Sequence, residues 1–137
     1  MKATDDLIIE IVLRHYPAAQ AIYLFGSYGT PDEWPDSDLD IAVLLPPEAA
    51  RRAGDLMLSP CRFELEEALG REVDLLNARR VSTVMQKEII SRSPRYVADR
   101  PAMDEWEMLT LSYYQRLNEE RREILEAFQA TGRAYDV

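Results

Sequence analysis

Cysteine is almost missing from this sequence. Cys61 is the only one, so no internal disulfide can form and no cysteine-rich metal site can be built. Basic residues are also short: 16 Lys and Arg stand against 25 Asp and Glu, a formal net charge of −9. A chain this acidic gains little from neutralising phosphates, so direct nucleic-acid binding is not expected. A nucleotide could bind only with metal ions or a local cluster of donors, and a basic protein partner fits the same charge. Long apolar runs are missing as well. The N-terminal MKATDDLIIEIVLRHYP breaks its apolar residues with acids, unlike a secretory signal, and no later run approaches the roughly 18 apolar residues of a spanning helix. The expectation is a soluble cytoplasmic protein with no membrane part. What is present is a globular balance, 47% hydrophobic and 30% charged, in 137 residues without repeat, low-complexity segment or Gly/Ser linker. One domain over 1–137 is expected, with a core at about 4–98 and a helical tail at about 101–131.

Along the chain, residues 4–16 read as a helix. Thr4 is placed to cap it, Asp5 and Asp6 suit the positive end of the dipole, and Ile8, Ile11 and Val12 share a face. AIYLF (21–25) is a short buried strand closed by Gly26-Ser27. Gly29, Pro31 and Pro35 forbid a long helix before the second strand, DLDIAVLL (38–45), which Pro46-Pro47 stops. Helical spacing over 48–69 is divided or kinked at Pro60 and ended by Gly70. REVDLLN (71–77) is a third strand, 80–92 another helix, RYVA (95–98) a short edge strand, and 102 to about 130 a long helix. The order is that of a small α/β or α+β domain.

The chemistry gathers around residues 24–45, LFGSYGTPDEWPDSDLDIAVLL. With a strand period of two, Asp38 and Asp40 project to one face and Leu39 to the other. Such paired carboxylates repel unless a proton or a divalent cation lies between them. Mg²⁺ takes carboxylate oxygens together with phosphate oxygens. Asp74 sits centrally in the next strand; if the two strands are neighbours, three carboxylates converge as a two-metal phosphoryl-type reaction requires. Gly26-Ser27 supplies the anion end: the glycine allows close backbone approach, successive N–H groups form a cradle, and a helical turn from Tyr28 would add its positive end. Alone, a Gly-Ser after a strand is usually a turn and an Asp-x-Asp a solvated strand end. Joined across ten residues, between two buried strands, they call for a common site.

This stretch resembles the G-S-x10-D-x-D signature of the DNA polymerase β-like nucleotidyltransferase superfamily. More narrowly it resembles the minimal nucleotidyltransferases (MNT), the antitoxins encoded beside HEPN-domain toxins. PDSDLDIAVLL, the EVDLLN strand, RYVADR and the long tail helix all follow that layout. The resemblance implies a minimal nucleotidyltransferase fold, a short mixed sheet flanked by helices with a long C-terminal helix. It implies a protein adenylyltransferase that moves AMP from ATP to a tyrosine hydroxyl of a cognate HEPN RNase toxin and so neutralises it. Asp38 and Asp40 would hold two Mg²⁺, Asp74 would bind a metal or deprotonate the acceptor, and Gly26 and Ser27 would grip the β- and γ-phosphates. Two alternatives stay open: a binding-only antitoxin that masks its toxin, and a small-molecule, aminoglycoside-type nucleotidyltransferase, for whose usual acceptor domain 137 residues leave no room.

The chain departs from that pattern at one place. Relatives commonly carry Ala-Arg-Gly after the Ser, where Gly29-Thr30-Pro31 stands here, and Arg79 or Arg80 is the candidate to replace the lost cation. Ordinary roles are expected for the rest. Tyr28 and Trp34 pack on their own loop, Asp32, Glu33 and Asp36 are solvated, His15 suits a helix end, and Cys61 is a buried filler. The tail-helix stripe of Trp106, Leu109, Tyr113, Leu117, Ile124 and Phe128 is read first as core, with room for a partner.

Overall fold

The computed structural model describes residues 4–26 and 38–131. Helix α1 (Thr4–His15) leads into strand β1 (Ala21–Phe25), and β2 (Leu39–Leu44) follows. Helix α2 (Pro47–Ala53), a 3-10 turn (Leu56–Leu58) and α3 (Pro60–Leu69) precede β3 (Val73–Asn77). Helix α4 (Thr83–Ile90), β4 (Pro94–Val97) and the long α5 (Arg100–Thr131) complete the chain. The 48–69 segment breaks twice rather than once. Gly54 ends α2 at φ 62°, and Pro60 opens α3 behind Ser59, whose hydroxyl accepts from the Arg62 amide.

The four strands run in the order β3-β2-β1-β4. β1 is antiparallel to both β2 and β4, while β2 and β3 are parallel, so the sheet is mixed. Burial on both faces explains why AIYLF reads as an unbroken apolar run: every one of its residues is buried. Ile22, Leu24, Leu39, Ile41, Val43, Val73 and Leu75 pack with α1 and α3 on one face. Ala21, Tyr23, Phe25, Ala42 and Leu44 pack with Ile89 of α4 and with Met103 and Trp106 of α5 on the other. By the same alternation Asp40 and Asp74 belong to the α4/α5 face.

Several polar contacts fasten the layers. His15 Nε2 lies 2.7 Å from Glu64 Oε1, and Arg14 bonds the same carboxylate, joining α1 to α3. Both bonds pull the Glu64 carboxyl below its usual range. Tyr23, fully buried, donates its hydroxyl to Glu107 at 2.6 Å and stacks at an angle on Trp106, which ties the start of α5 to the sheet. Cys61 is a buried filler, its thiol pushed up to about 12 mainly by burial.

The reading of the whole α5 stripe as core is corrected. Met103, Trp106 and Thr110 are buried, but Leu109, Tyr113, Ile124, Leu125 and Phe128 are exposed. The reason is length: at 1.5 Å per residue a 32-residue helix spans about 48 Å, beyond the reach of a four-stranded sheet.

Candidate active site

Register builds the site. In the parallel β2/β3 pair Asp40 stands opposite Asp74, and in the antiparallel β1/β2 pair it stands opposite Phe25, the residue before Gly26. The expected neighbouring of the two Asp-bearing strands is therefore met, and one carboxylate is delivered beside the other and beside the β1 turn. Gly26 adopts φ 72°, and a Cβ there would fall on the Asp40 Oδ2 atom. Only a glycine combines that backbone with that proximity. The close approach seen at Gly26 is to Asp40.

The electrostatics follow from this crowding. Asp40 is half-buried, and its carboxyl rises from 3.8 to about 6. Burial is the largest cause, followed by the charge of Asp74, a hydrogen bond with Asp74 and the charge of Asp38. Asp40 therefore holds its proton into the mildly acidic range. Asp38 stands exposed just before β2. Among the described residues no group of three or more acids, histidines or cysteines is gathered tightly enough to hold a metal ion. Of the three expected acids, then, Asp40 and Asp74 are register partners, and Asp38 is exposed and near enough for its charge to act on Asp40.

Ser27 and the segment to Ser37 lie outside the described residues, and with them the expectations for Ser27, Tyr28, Asp32, Glu33, Trp34 and Asp36. The two arginines proposed to replace the loop cation do not reach the site. Arg79 donates from Nε to the Leu45 carbonyl and from Nη2 to Gln20 Oε1 at 2.8 Å, and burial lowers its pKa. Leu45 is five residues beyond Asp40, about 16 Å along the strand direction. Arg80 is exposed at the same far end, its amide bonded to the Asn77 carbonyl. Arg79 is instead a clamp on the β2 exit, ahead of α4, which begins at Thr83 behind the Ser82 cap.

The residue that sequence reasoning passed over is Arg92. Its Nη1 donates to the Gly26 carbonyl at 2.8 Å. It lies two residues before β4, whose Pro94 is the register partner of Tyr23. Running that antiparallel pair onward brings Arg92 level with the end of β1. A signal was available only with the pairing known, since nothing in RYVA says which strand it joins.

Comparison with known proteins agrees with this geometry. The family model described as polymerase beta, nucleotidyltransferase matches residues 8–97. The protein adenylyltransferase MntA of Shewanella oneidensis is 32% identical over 130 residues, covering 92% of this chain and 88% of its own. A solved toxin–antitoxin structure with AMP-PNP superposes with a TM-score of 0.71 at 29% identity, covering 93% of this chain and 99% of that one. A second, of the tri-AMPylated Shewanella oneidensis HEPN toxin in complex with its MNT antitoxin, gives a TM-score of 0.66 at 29% identity over 92% and 96%. The chain belongs to the polymerase beta nucleotidyltransferase family, among its minimal nucleotidyltransferases.

Proposed function

We propose that this chain is an antitoxin that transfers AMP from ATP to a tyrosine hydroxyl of a HEPN-domain toxin, in the cytoplasm, as a single domain. The observation that carries the reading is the register of Asp40 with Asp74 beside the Gly26 turn, in a chain 32% identical to an adenylyltransferase. Support for the acceptor comes from the solved complex in which a HEPN toxin is tri-AMPylated.

Asp38, Asp40 and Asp74 offer hard oxygen donors, and the raised Asp40 carboxyl marks a place where positive charge is wanted. The donor set fits Mg²⁺, which we assign to these three residues as two ions; when bound, the metal would neutralise the triphosphate and the leaving pyrophosphate. The chain's own contribution is positioning. The Gly26 turn admits the phosphates against the backbone, and the buried stretch of β2 after Asp40 keeps the carboxylate aimed at the same point. The toxin hydroxyl attacks the α-phosphorus, an O–P bond forms, and the bond to pyrophosphate breaks. A free tyrosine has a pKa of about 10, so its proton must be drawn off as the bond forms. Asp74, placed opposite Asp40, is assigned to receive it on a carboxylate oxygen.

The test is to incubate the chain with labelled ATP, Mg²⁺ and the product of the adjacent gene. Label on a toxin tyrosine, lost when Asp38→Asn is combined with Asp40→Asn, is the expected result. Undiminished neutralisation by that double variant would instead establish a binding-only antitoxin.

A further inference from the structure

The triphosphate end of this site needs a cation that its own loop does not carry. From His15 to Ala50 the sequence holds no Lys or Arg, while Asp32, Glu33, Asp36, Asp38 and Asp40 all fall within that span. A highly charged triphosphate entering there meets like charge on the loop and on the strand. Other arginines are held elsewhere: Arg14 with Glu64, Arg51 with Glu48, Arg62 with the Val73 carbonyl and Glu66, Arg79 with the Leu45 carbonyl, Arg95 with Asp5, Arg100 with Asp104 and Arg122 with Glu126. Lys87 lies over the Tyr114 ring.

Resting on the adenylyltransferase reading, we propose that Arg92 is the phosphate-binding cation of this chain, holding the β- and γ-phosphates of ATP from the side of the Gly26 turn opposite the aspartates. Sheet order creates that arrangement. β1 lies between β2 and β4, so Asp40 approaches Gly26 from one flank and Arg92 from the other. The bond from Arg92 Nη1 to the Gly26 carbonyl holds the guanidinium at the turn before any ligand arrives, which lowers the entropy lost on binding. The backbone behind it is held as well: the Arg92 amide donates to the Ile89 carbonyl, and the Ser91 hydroxyl closes the end of α4 on the Glu88 carbonyl. A guanidinium has five N–H donors in a planar fork, a shape that matches phosphate oxygens and that lysine cannot reproduce.

The experiment is calorimetric titration of the purified chain with MgATP and, separately, with AMP, for wild type, Arg92→Ala and Arg92→Lys. Thermal melts accompany each variant. MgATP affinity is expected to fall about tenfold or more in Arg92→Ala, as for loss of one charge-assisted phosphate contact, with AMP affinity unchanged. Arg92→Lys should recover part of the loss. Equal MgATP binding by wild type and Arg92→Ala would overturn the assignment. So would a parallel loss of MgATP and AMP, which would mean that Arg92 only shapes the turn. Failure of the wild type to bind MgATP would sink the adenylyltransferase reading itself, and is visible before any variant is compared.

Discussion

Replacing Asp40 by Asn should make the protein more stable while disabling it. The carboxyl at Asp40 is raised from 3.8 to about 6 by burial and by its acidic neighbours. Each pH unit of altered proton affinity is worth about 1.4 kcal/mol, which bounds the cost of the ionised form at about 3 kcal/mol at neutral pH. The site is only half-buried and faces water, so screening reduces this to about 1–2 kcal/mol. The direction is set by linkage. Between pH 3.8 and about 6 the folded state binds more protons than the unfolded chain, so this group's contribution to stability falls as pH rises through that window. Asparagine is uncharged and can donate to Asp74 in place of the protonated Asp40 carboxyl. Urea unfolding in EDTA at about pH 7.5 should therefore show Asp40→Asn more stable by about 1–2 kcal/mol, with the gap about halved near pH 5 and closed below about pH 4. Mg²⁺ should stabilise the wild type and leave the variant unmoved. An Asp40→Asn protein that is less stable than wild type, or a gap that does not change with pH, would refute this account of the site.

Three further substitutions probe the surrounding frame. Gly26→Ala places a Cβ on Asp40 Oδ2 in a backbone with φ 72°; AMP transfer should be lost, with a stability cost of about 1–2 kcal/mol read from urea unfolding. Asn77 is buried and its Nδ2 donates to the carbonyls of Ala50 and Gly54, both at 2.9 Å, so Asn77→Ala should cost about 1–3 kcal/mol in the same measurement by removing both bonds, the Ala50 carbonyl keeping only the Gly54 amide. Arg79→Met should lose about 1–2 kcal/mol of stability through its bonds to Leu45 and Gln20, yet titrate with MgATP as wild type does.

Strands and carboxylates were legible because their signals are local. A period of two places Asp38 and Asp40 on one face, Pro46 and Pro47 stop β2, and a glycine after AIYLF marks the turn. The position of Asp74 could be read only conditionally, since nothing within EVDLLN says which strand it pairs with; the parallel register with β2 supplied that. The same gap hid Arg92. In sequence it is a polar residue at the end of a helix, 66 positions from the carbonyl it holds. It also misdirected the search for the cation to Arg79, which follows the Asp74 strand directly but leaves it at the wrong end.

The sequence by itself determined the element order, the acidic pair on β2 and the glycine turn, all set by short-range sterics and by alternation of side chains along a strand. Only the tertiary structure decided three further things. It half-buried Asp40 against Asp74 and so raised its carboxyl, brought Arg92 to the turn from the opposite flank, and left most of the α5 stripe outside the core. Each depends on which strands pair and on how far the sheet extends, a choice made by burial over the whole chain rather than by any window of it.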